Sequence, residues 1–144
     1  MFDSRQHVQR VLIYMPRVSI PILENVRQTL PHAAIALMTC HQQELPLWVD
    51  DVINYEPNFS DPQSEIAVIE QLKSKNFEAA IIFSSPQTPY CVAYMCYLAG
   101  IPIRVARSPE FGGSVLSHCL PTEGTQDLDL LKLIANDEHQ HATS

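Results

Sequence analysis

The chain has 144 residues, 46% of them hydrophobic and 17% charged, which is enough apolar material for one folded domain and too little charge for a disordered polyelectrolyte. Nine Lys and Arg against 16 Asp and Glu give a formal net charge of -7, which argues against a general attraction to nucleic acid or to an anionic membrane surface. No apolar run approaches the roughly 20 residues of a membrane helix and the first residues lack a signal-peptide pattern, so the sequence predicts a cytoplasmic protein without a membrane span.

Six short apolar runs rich in branched residues predict β-strands. They are continuous rather than alternating, which is typical of strands buried on both faces of a sheet. The first run is uninterrupted, so we expect it near the centre of the sheet. The runs span residues 10–15, 34–38, 52–55, 79–83, 101–105 and 115–120.

Helical patterns lie between several of these runs. Apolar side chains at three-and-four spacing predict helices over residues 22–30 and 66–72, and a leucine-rich helix is predicted over 126–135. Residues 40–51 have the composition of a short helix that Pro46 interrupts. The apolar stripe of the second helix is predicted to consist of Ile66, Val68, Ile69 and Leu72.

Pro and Gly residues support the helix boundaries. Asp61 followed by Pro62, and Thr88 followed by Pro89, supply a capping side chain and a preset first helical φ. Gly100 is placed to end the helix that Pro89 begins.

The alternation of strand and helix predicts the fold class. Such chains form a doubly wound, Rossmann-like α/β sheet of about six mainly parallel strands with helices on both faces. The domain is expected over residues 9–135, with a short tail over 1–8 and a polar tail over 136–144. Ligands of such sheets bind beyond the carboxyl ends of the strands, so the loops that follow the strands are the first place to look for a site.

The sequence predicts no cofactor and no metal site. The turn after the first strand, residues 15–21, contains no glycine, which disfavours a nicotinamide or flavin cofactor bound in the Rossmann manner. His139 and His141 lie in the polar tail, where a solvated segment is the simpler interpretation. The four cysteines show no C-x-x-C spacing and are interpreted mainly as buried free thiols: Cys40, Cys91, Cys96 and Cys119.

The loops after the fourth and fifth strands carry the polar side chains expected of a binding site. Hydroxyls directly before a helix N-terminus favour an oxygen-rich or anionic ligand, and arginines at a strand end bind phosphate or carboxylate. We therefore predict a site for a sugar or sugar phosphate. Its residues are Ser84, Ser85, Gln87, Thr88, Arg104, Arg107 and Glu110.

These polar residues also have a purely structural interpretation. The hydroxyls of this loop cap a helix and shape a turn in many proteins, and Arg104 or Arg107 would fasten its loop by pairing with Glu110. No catalytic residue is predicted, because Asp50, Asp51 and His118 show neither a partner spacing nor a motif.

The last predicted helix has more apolar surface than one buried face requires. This surplus predicts an interface with a second copy or with another protein, and the alternative is that both faces pack within one domain. The interface residues would be Leu128, Leu130, Leu131, Leu133 and Ile134.

Several stretches resemble the N-terminal domain of the heptosyltransferase-like glycosyltransferases, glycosyltransferase family nine, especially its cyanobacterial members. The matching stretches are 10–13, 20–31, 77–83 and above all 94–104 with 110–113, so the resemblance covers about residues 9 to 134. The Leu-Ala-Gly-Ile-Pro-Ile-Arg block that ends at Arg104 is its most specific part.

The resemblance implies an acceptor-binding domain without its catalytic equipment. Enzymes of this family have a second domain that binds the nucleotide-sugar donor, and a Gly-Asp motif after the first strand whose Asp is taken as the base. This chain corresponds to the first domain alone, and its shorter first loop has neither residue. We therefore expect a stand-alone, non-catalytic binding or interaction module. The alternatives are an acceptor-binding half that works with a separate donor-domain protein, and a purely structural interaction protein.

Overall fold

A computed structural model describes residues 9–39, 45–55, 62–83, 89–107 and 118–120. The described ranges contain a strand at each of the six predicted positions, with ends that differ from the predicted ones by a few residues. No helix in the described ranges is long and apolar enough to cross a membrane. The elements are β1 (Arg10–Tyr14), α1 (Ile20–Thr29), β2 (Ala34–Thr39), β3 (Asp51–Asn54), α2 (Pro62–Lys75), β4 (Ala79–Ile82), α3 (Pro89–Leu98), β5 (Ile103–Arg107) and β6 (His118–Leu120).

The strands form one six-stranded sheet in the order β3-β2-β1-β4-β5-β6, and every neighbouring pair is parallel. This is the strand order of Rossmann folds. The prediction of a parallel, doubly wound sheet with β1 near its centre is therefore confirmed. At that centre Ile13 lies between Leu37 of β2 and Ile81 of β4.

The core consists of two layers, one on each face of the sheet. On one face, called here the α1 side, Ile13 and Ile81 pack in one cluster with Leu23 of α1. On the other, the α2–α3 side, Leu12 packs in a cluster with Leu72 of α2 and other apolar side chains. Successive strand residues point to opposite faces. Both faces are covered here, which explains why the strand sequences are continuous apolar runs.

The buried face of helix α2 differs from the predicted apolar stripe at one residue. Leu72 is buried and Val68 and Ile69 pack at the core margin, as predicted, but Ile66 is 58% exposed. Ile66 lies about 120° around the helix from Leu72, so it cannot share the buried face. The inward position near the helix start is taken by Glu65, whose carboxylate accepts a hydrogen bond of 3.1 Å from the Tyr55 hydroxyl.

The described part of the predicted helix over 40–51 is a turn rather than a helix. The Val49 N–H donates to the Pro46 carbonyl over 3.2 Å, and β3 begins at Asp51. Leu45, Trp48 and Val49 pack at the margin of the α1-side core. The segment therefore covers the sheet beside α1 without forming a helix of its own.

Gly100 ends α3, as predicted, through a left-handed backbone conformation with φ +81°. Its N–H donates to the Tyr97 carbonyl over 3.0 Å, and the Ile101 N–H donates to the Cys96 carbonyl over 3.2 Å. This pair of bonds is the Schellman motif, which satisfies carbonyls that the helix leaves without a partner. The chain then turns directly into β5.

Replacing Gly100 with Ala is expected to lower the free energy of unfolding by about 1 kcal/mol, because an L-residue with a side chain is strained at positive φ. No heavy atom lies within 4 Å of the added Cβ, so no clash adds to this cost. Gly100→Asn should lose less, since Asn tolerates this conformation. Urea denaturation measures both, and an Ala variant as stable as the wild type would contradict the assignment.

Candidate functional site

All strands of the sheet end at one edge, and the described part of this carboxyl edge is closed by buried side chains. Met15, Thr39, Tyr55 and Phe83 stand at the ends of β1, β2, β3 and β4, and each is at most 5% exposed. Backbone hydrogen bonds extend the ladder to this point, among them Met15 N–H to Met38 and Phe83 N–H to Tyr14, of 3.0 and 2.9 Å. Any ligand at this edge therefore lies on the loops above these residues.

The loop between β1 and α1 spans residues 15–19 and contains no carboxylate. Its one ionisable side chain is that of Arg17, which is exposed. Ser19 is the N-cap of α1, yet its side chain makes no capping hydrogen bond, and the first turn of α1 has no acidic residue. The positive end of the helix dipole and Arg17 thus belong to the same loop at the carboxyl end of the central strand, a combination that favours an anionic ligand.

Thr39 is a buried polar residue that no sequence motif marks. Its hydroxyl is shielded from solvent and has no hydrogen-bond partner among the residues that the structure describes. Leaving a buried hydroxyl unpaired costs about 1–3 kcal/mol. The signal in the sequence is one hydroxyl residue at the end of an otherwise apolar strand, next to the predicted ligand edge.

Most of the predicted site and interface lies outside the described residues. Arg107 is the last residue of β5 and is described by its backbone alone. The site after β4 and β5 and the interface of the last helix therefore stay predictions. The residues outside the described ranges are Ser84, Ser85, Gln87, Thr88, Glu110, Leu128, Leu130, Leu131, Leu133 and Ile134, together with the predicted cap Asp61.

Arg104 is the predicted ligand residue whose side chain the structure describes. It is the second residue of β5, paired with Ala80, and therefore lies toward the amino end of the strand. Its guanidinium donates to the carbonyls of Ile101 and Pro102 and lies 5.2 Å from the centre of the Tyr97 ring. These contacts stabilise the turn between α3 and β5. This turn lies at the amino edge of the sheet, opposite the predicted ligand edge.

The amino edge of the sheet carries a small cleft of about 40 Å³ that is lined by both charged and apolar side chains. Lys75 forms a salt bridge with Asp51 and, by this hydrogen-bonded contact, holds the pKa of that carboxyl below its ordinary value. The Arg10 Nε donates to the Lys75 carbonyl over 2.7 Å, and the Asp50 carboxylate accepts from the Ile35 N–H over 2.8 Å. The cleft has room for a few waters and is too small for a sugar. Its charged residues hold the strand ends together.

Cys96 is a buried thiol on α3, as predicted. Burial raises the pKa of Cys96 to about 12, so the thiol stays protonated and is a poor nucleophile. Within the described ranges, no group of three or more His, Cys, Asp or Glu side chains is placed to hold a metal ion. The chemistry that the described residues offer is hydrogen bonding and positive charge at the carboxyl edge.

No protein-family model matches the chain, and no curated protein matches it. The fold is similar to that of the glycosyl transferase family 9 protein from Veillonella parvula DSM 2008, with a TM-score of 0.65 and 15% identity over 92% of this chain and 41% of that chain. It is also similar to RSP, a Rex-family repressor, with a TM-score of 0.58 and 10% identity over 96% of this chain and 64% of that one. This chain thus spans less than half of the glycosyl transferase, and the two likenesses show the α/β fold.

Proposed function

We propose that this chain is a binding domain of glycosyltransferase-like fold that holds an oxygen-rich, anionic small molecule at the carboxyl edge without transferring a sugar. The observation that carries the proposal is the loop between β1 and α1. A base must lie within hydrogen-bond reach of the hydroxyl that it deprotonates. The loop offers Arg17 as its only ionisable side chain, and a guanidinium has no acceptor.

The ligand class follows from the groups that we expect at this edge. Strands β1 and β4 are neighbours, so we expect the residues that follow the two strands to come close together above the sheet. The first loop supplies Arg17 and the uncapped start of α1. The residues after β4 include the hydroxyls predicted to bind ligand, and Arg107 is the last residue of the neighbouring strand β5. A sugar phosphate suits both the hydroxyl residues and the arginines, because its hydroxyls pair with Ser and Thr and its phosphate pairs with arginine.

A second candidate function is the acceptor-binding half of a glycosyltransferase that works with a separately encoded donor domain. The observation in its favour is that this chain matches 41% of the family 9 glycosyl transferase, so other residues of that protein would supply the donor side. In this case the ligand of the carboxyl edge is a sugar acceptor, and catalysis requires the partner.

Calorimetry with a panel of sugars and sugar phosphates tests the ligand site. We expect sugar phosphates to bind, and Arg17→Ala and Arg107→Ala each to weaken binding about tenfold or more, since each removes a charge-assisted hydrogen bond. Lys73→Ala is the control, because it removes one positive charge at an exposed position near the end of α2. Binding that the arginine variants leave unchanged, or that the control weakens equally, would refute this site.

The absence of catalysis is tested by incubating the purified chain with ADP- or UDP-sugars and candidate acceptors, with products followed by mass spectrometry. We expect no transfer and no hydrolysis. Turnover that Arg17→Ala or Arg107→Ala abolishes would show that the chain is an enzyme. Turnover that arises when a copurifying donor-domain protein is added would favour the second candidate function.

A further inference from the structure

Thr39 ends β2 on the side of the sheet that α1 covers. Leu37 belongs to the α1-side cluster, and Thr39 lies two residues further along the strand, so its side chain points to the same side. The register of β1 and β2 puts Met15, another member of that cluster, directly beside Thr39. Phe83 follows β4 on the same side. At the carboxyl edge, the Thr39 hydroxyl therefore stands in a row with two buried apolar side chains.

Helix α1 starts at this edge and runs toward the opposite one. Its first residue, Ile20, directly follows the loop after β1. Its far end is held near the start of β2, where Arg27 donates to the Ala33 carbonyl over 2.7 Å. The Trp48 ring contacts the Arg27 guanidinium, so the turn that carries Trp48 also lies toward that far end. The start of α1 and the loop before it therefore lie at the same end of the sheet as Thr39.

The unpaired Thr39 hydroxyl points to a ligand at this end of the sheet. Thr39 is 1% exposed, and its hydroxyl has no hydrogen-bond partner in the part of the chain that the structure describes. Valine has almost the same shape and would fill this position without burying an unpaired polar group. Proteins keep such unpaired groups mainly where they serve a function. A ligand atom that reaches the first turn of α1 would complete the missing bond.

The groups at the start of α1 are mainly hydrogen-bond donors, which favours an acceptor group of the ligand. Ile20 and Ile22 carry N–H groups in the first turn, where a helix has no acceptor for them, and the Ser19 side chain does not cap them. Arg17 adds an exposed guanidinium, which only donates. The oxygens of an ionised phosphate are strong acceptors, whereas a sugar hydroxyl also needs an acceptor for its own proton.

We propose that the Thr39 hydroxyl, the first turn of α1 and Arg17 together bind the phosphate group of the ligand. This assignment rests on the proposed function and specifies which part of the carboxyl edge takes the phosphate. Val18 and Ile22 are only partly buried where they pack against the α1-side cluster. We therefore expect a phosphate oxygen to reach Thr39 through movement of these two side chains, with the sheet unchanged.

Calorimetry with inorganic phosphate and with glucose 6-phosphate tests the role of Thr39. We expect Thr39→Val to weaken the binding of both probes about tenfold, because it removes a hydrogen bond to a charged group, and Thr39→Ser to keep most of the affinity. Tighter binding of glucose 6-phosphate would identify a sugar phosphate as the source of the phosphate, and equal binding would identify phosphate alone. Thr29→Val is the control, since it removes a hydroxyl near the other end of α1 and should leave binding unchanged.

Thermal unfolding without a probe distinguishes a ligand-binding hydroxyl from a structural one. We expect Thr39→Val to raise the melting temperature by a few degrees, because it removes an unpaired buried polar group. A lower melting temperature would show that the hydroxyl is paired within the chain, and would overturn the proposal. In the wild type, phosphate should also shift the NMR amide signals of Ile20 and Ile22, and unchanged signals would overturn it as well.

The variants separate this proposal from the proposed function. If Arg17→Ala weakens binding and Thr39→Val does not, the anion site stands and the role of Thr39 is wrong. If neither probe binds the wild type, both the phosphate assignment and the proposed function are wrong.

Discussion

Replacing Ile81 with Ala is expected to lower the free energy of unfolding by about 2–5 kcal/mol, because the shortened side chain loses its burial and leaves a cavity. Ile81 is 0% exposed and lies on β4, between Ile13 of β1 and Val105 of β5. Urea denaturation should show a lower midpoint at an unchanged slope.

Ile66→Ala is the matched control for this variant. It makes the same substitution at a side chain that is 58% exposed on α2. We expect a change within about 0.5 kcal/mol, as for most surface substitutions. If the two variants lost similar stability, the placement of Ile81 in the core would be wrong.

Replacing Arg27 with Ala is expected to cost about 2–3 kcal/mol, because charged hydrogen bonds and a cation–π contact are lost together. The Arg27 Nη2 donates to the carbonyls of Leu30 and Ala33, each over 2.7 Å, and the guanidinium lies 5.5 Å from the centre of the Trp48 ring. The side chain thus joins the end of α1 to the start of β2 and to the turn over 45–50. Thermal unfolding measures the loss.

Two controls separate the contacts of Arg27 from its charge. Arg27→Lys keeps the positive charge and loses the forked donor, so we expect a partial loss of stability. Arg17→Ala removes an arginine from an exposed position and should leave stability nearly unchanged. Trp48 is the only Trp of the chain, so its fluorescence reports on the contact itself. A spectrum and a midpoint that Arg27→Ala leaves unchanged would contradict this account.

The strands are predictable from the sequence because burial on both faces of the sheet requires apolar residues throughout. A parallel sheet covered on both faces buries every side chain of its central strands, and the run from Val11 to Tyr14 is apolar throughout. Helix faces were harder to predict, because apolar content alone does not give the phase of the helix. Apolar spacing alone puts Ile66 on the buried stripe, whereas in the structure Ile66 is exposed and Glu65 faces Tyr55 at that level.

The candidate site was predictable only in its general location. Ligands of parallel sheets bind at the carboxyl edge, so the fold alone predicts that location. The sequence does not give the position of a residue along its strand, because strand ends are not defined by the apolar run. Arg104 stands three residues before the end of β5, and that spacing places its guanidinium on the turn from α3 instead of the ligand edge. The sequence does not identify Thr39, because burial without a hydrogen-bond partner is a property of the packed structure. The hydroxyls after β4 and Arg107 remain to be tested by ligand binding.

The position of β1 at the centre of the sheet also determines an order of events during synthesis. Strands β1, β2 and β3 pair with near neighbours in sequence, but Val11 pairs on its other side with Ala79 of β4. A nascent chain therefore completes the first three strands while the second edge of β1 stays open until β4 has been made. Such long-range parallel pairing is slow, and an open apolar strand edge is prone to aggregation. We expect the yield of folded protein to depend on how quickly residues 79–82 follow, and on chaperones that protect β1 in the interval.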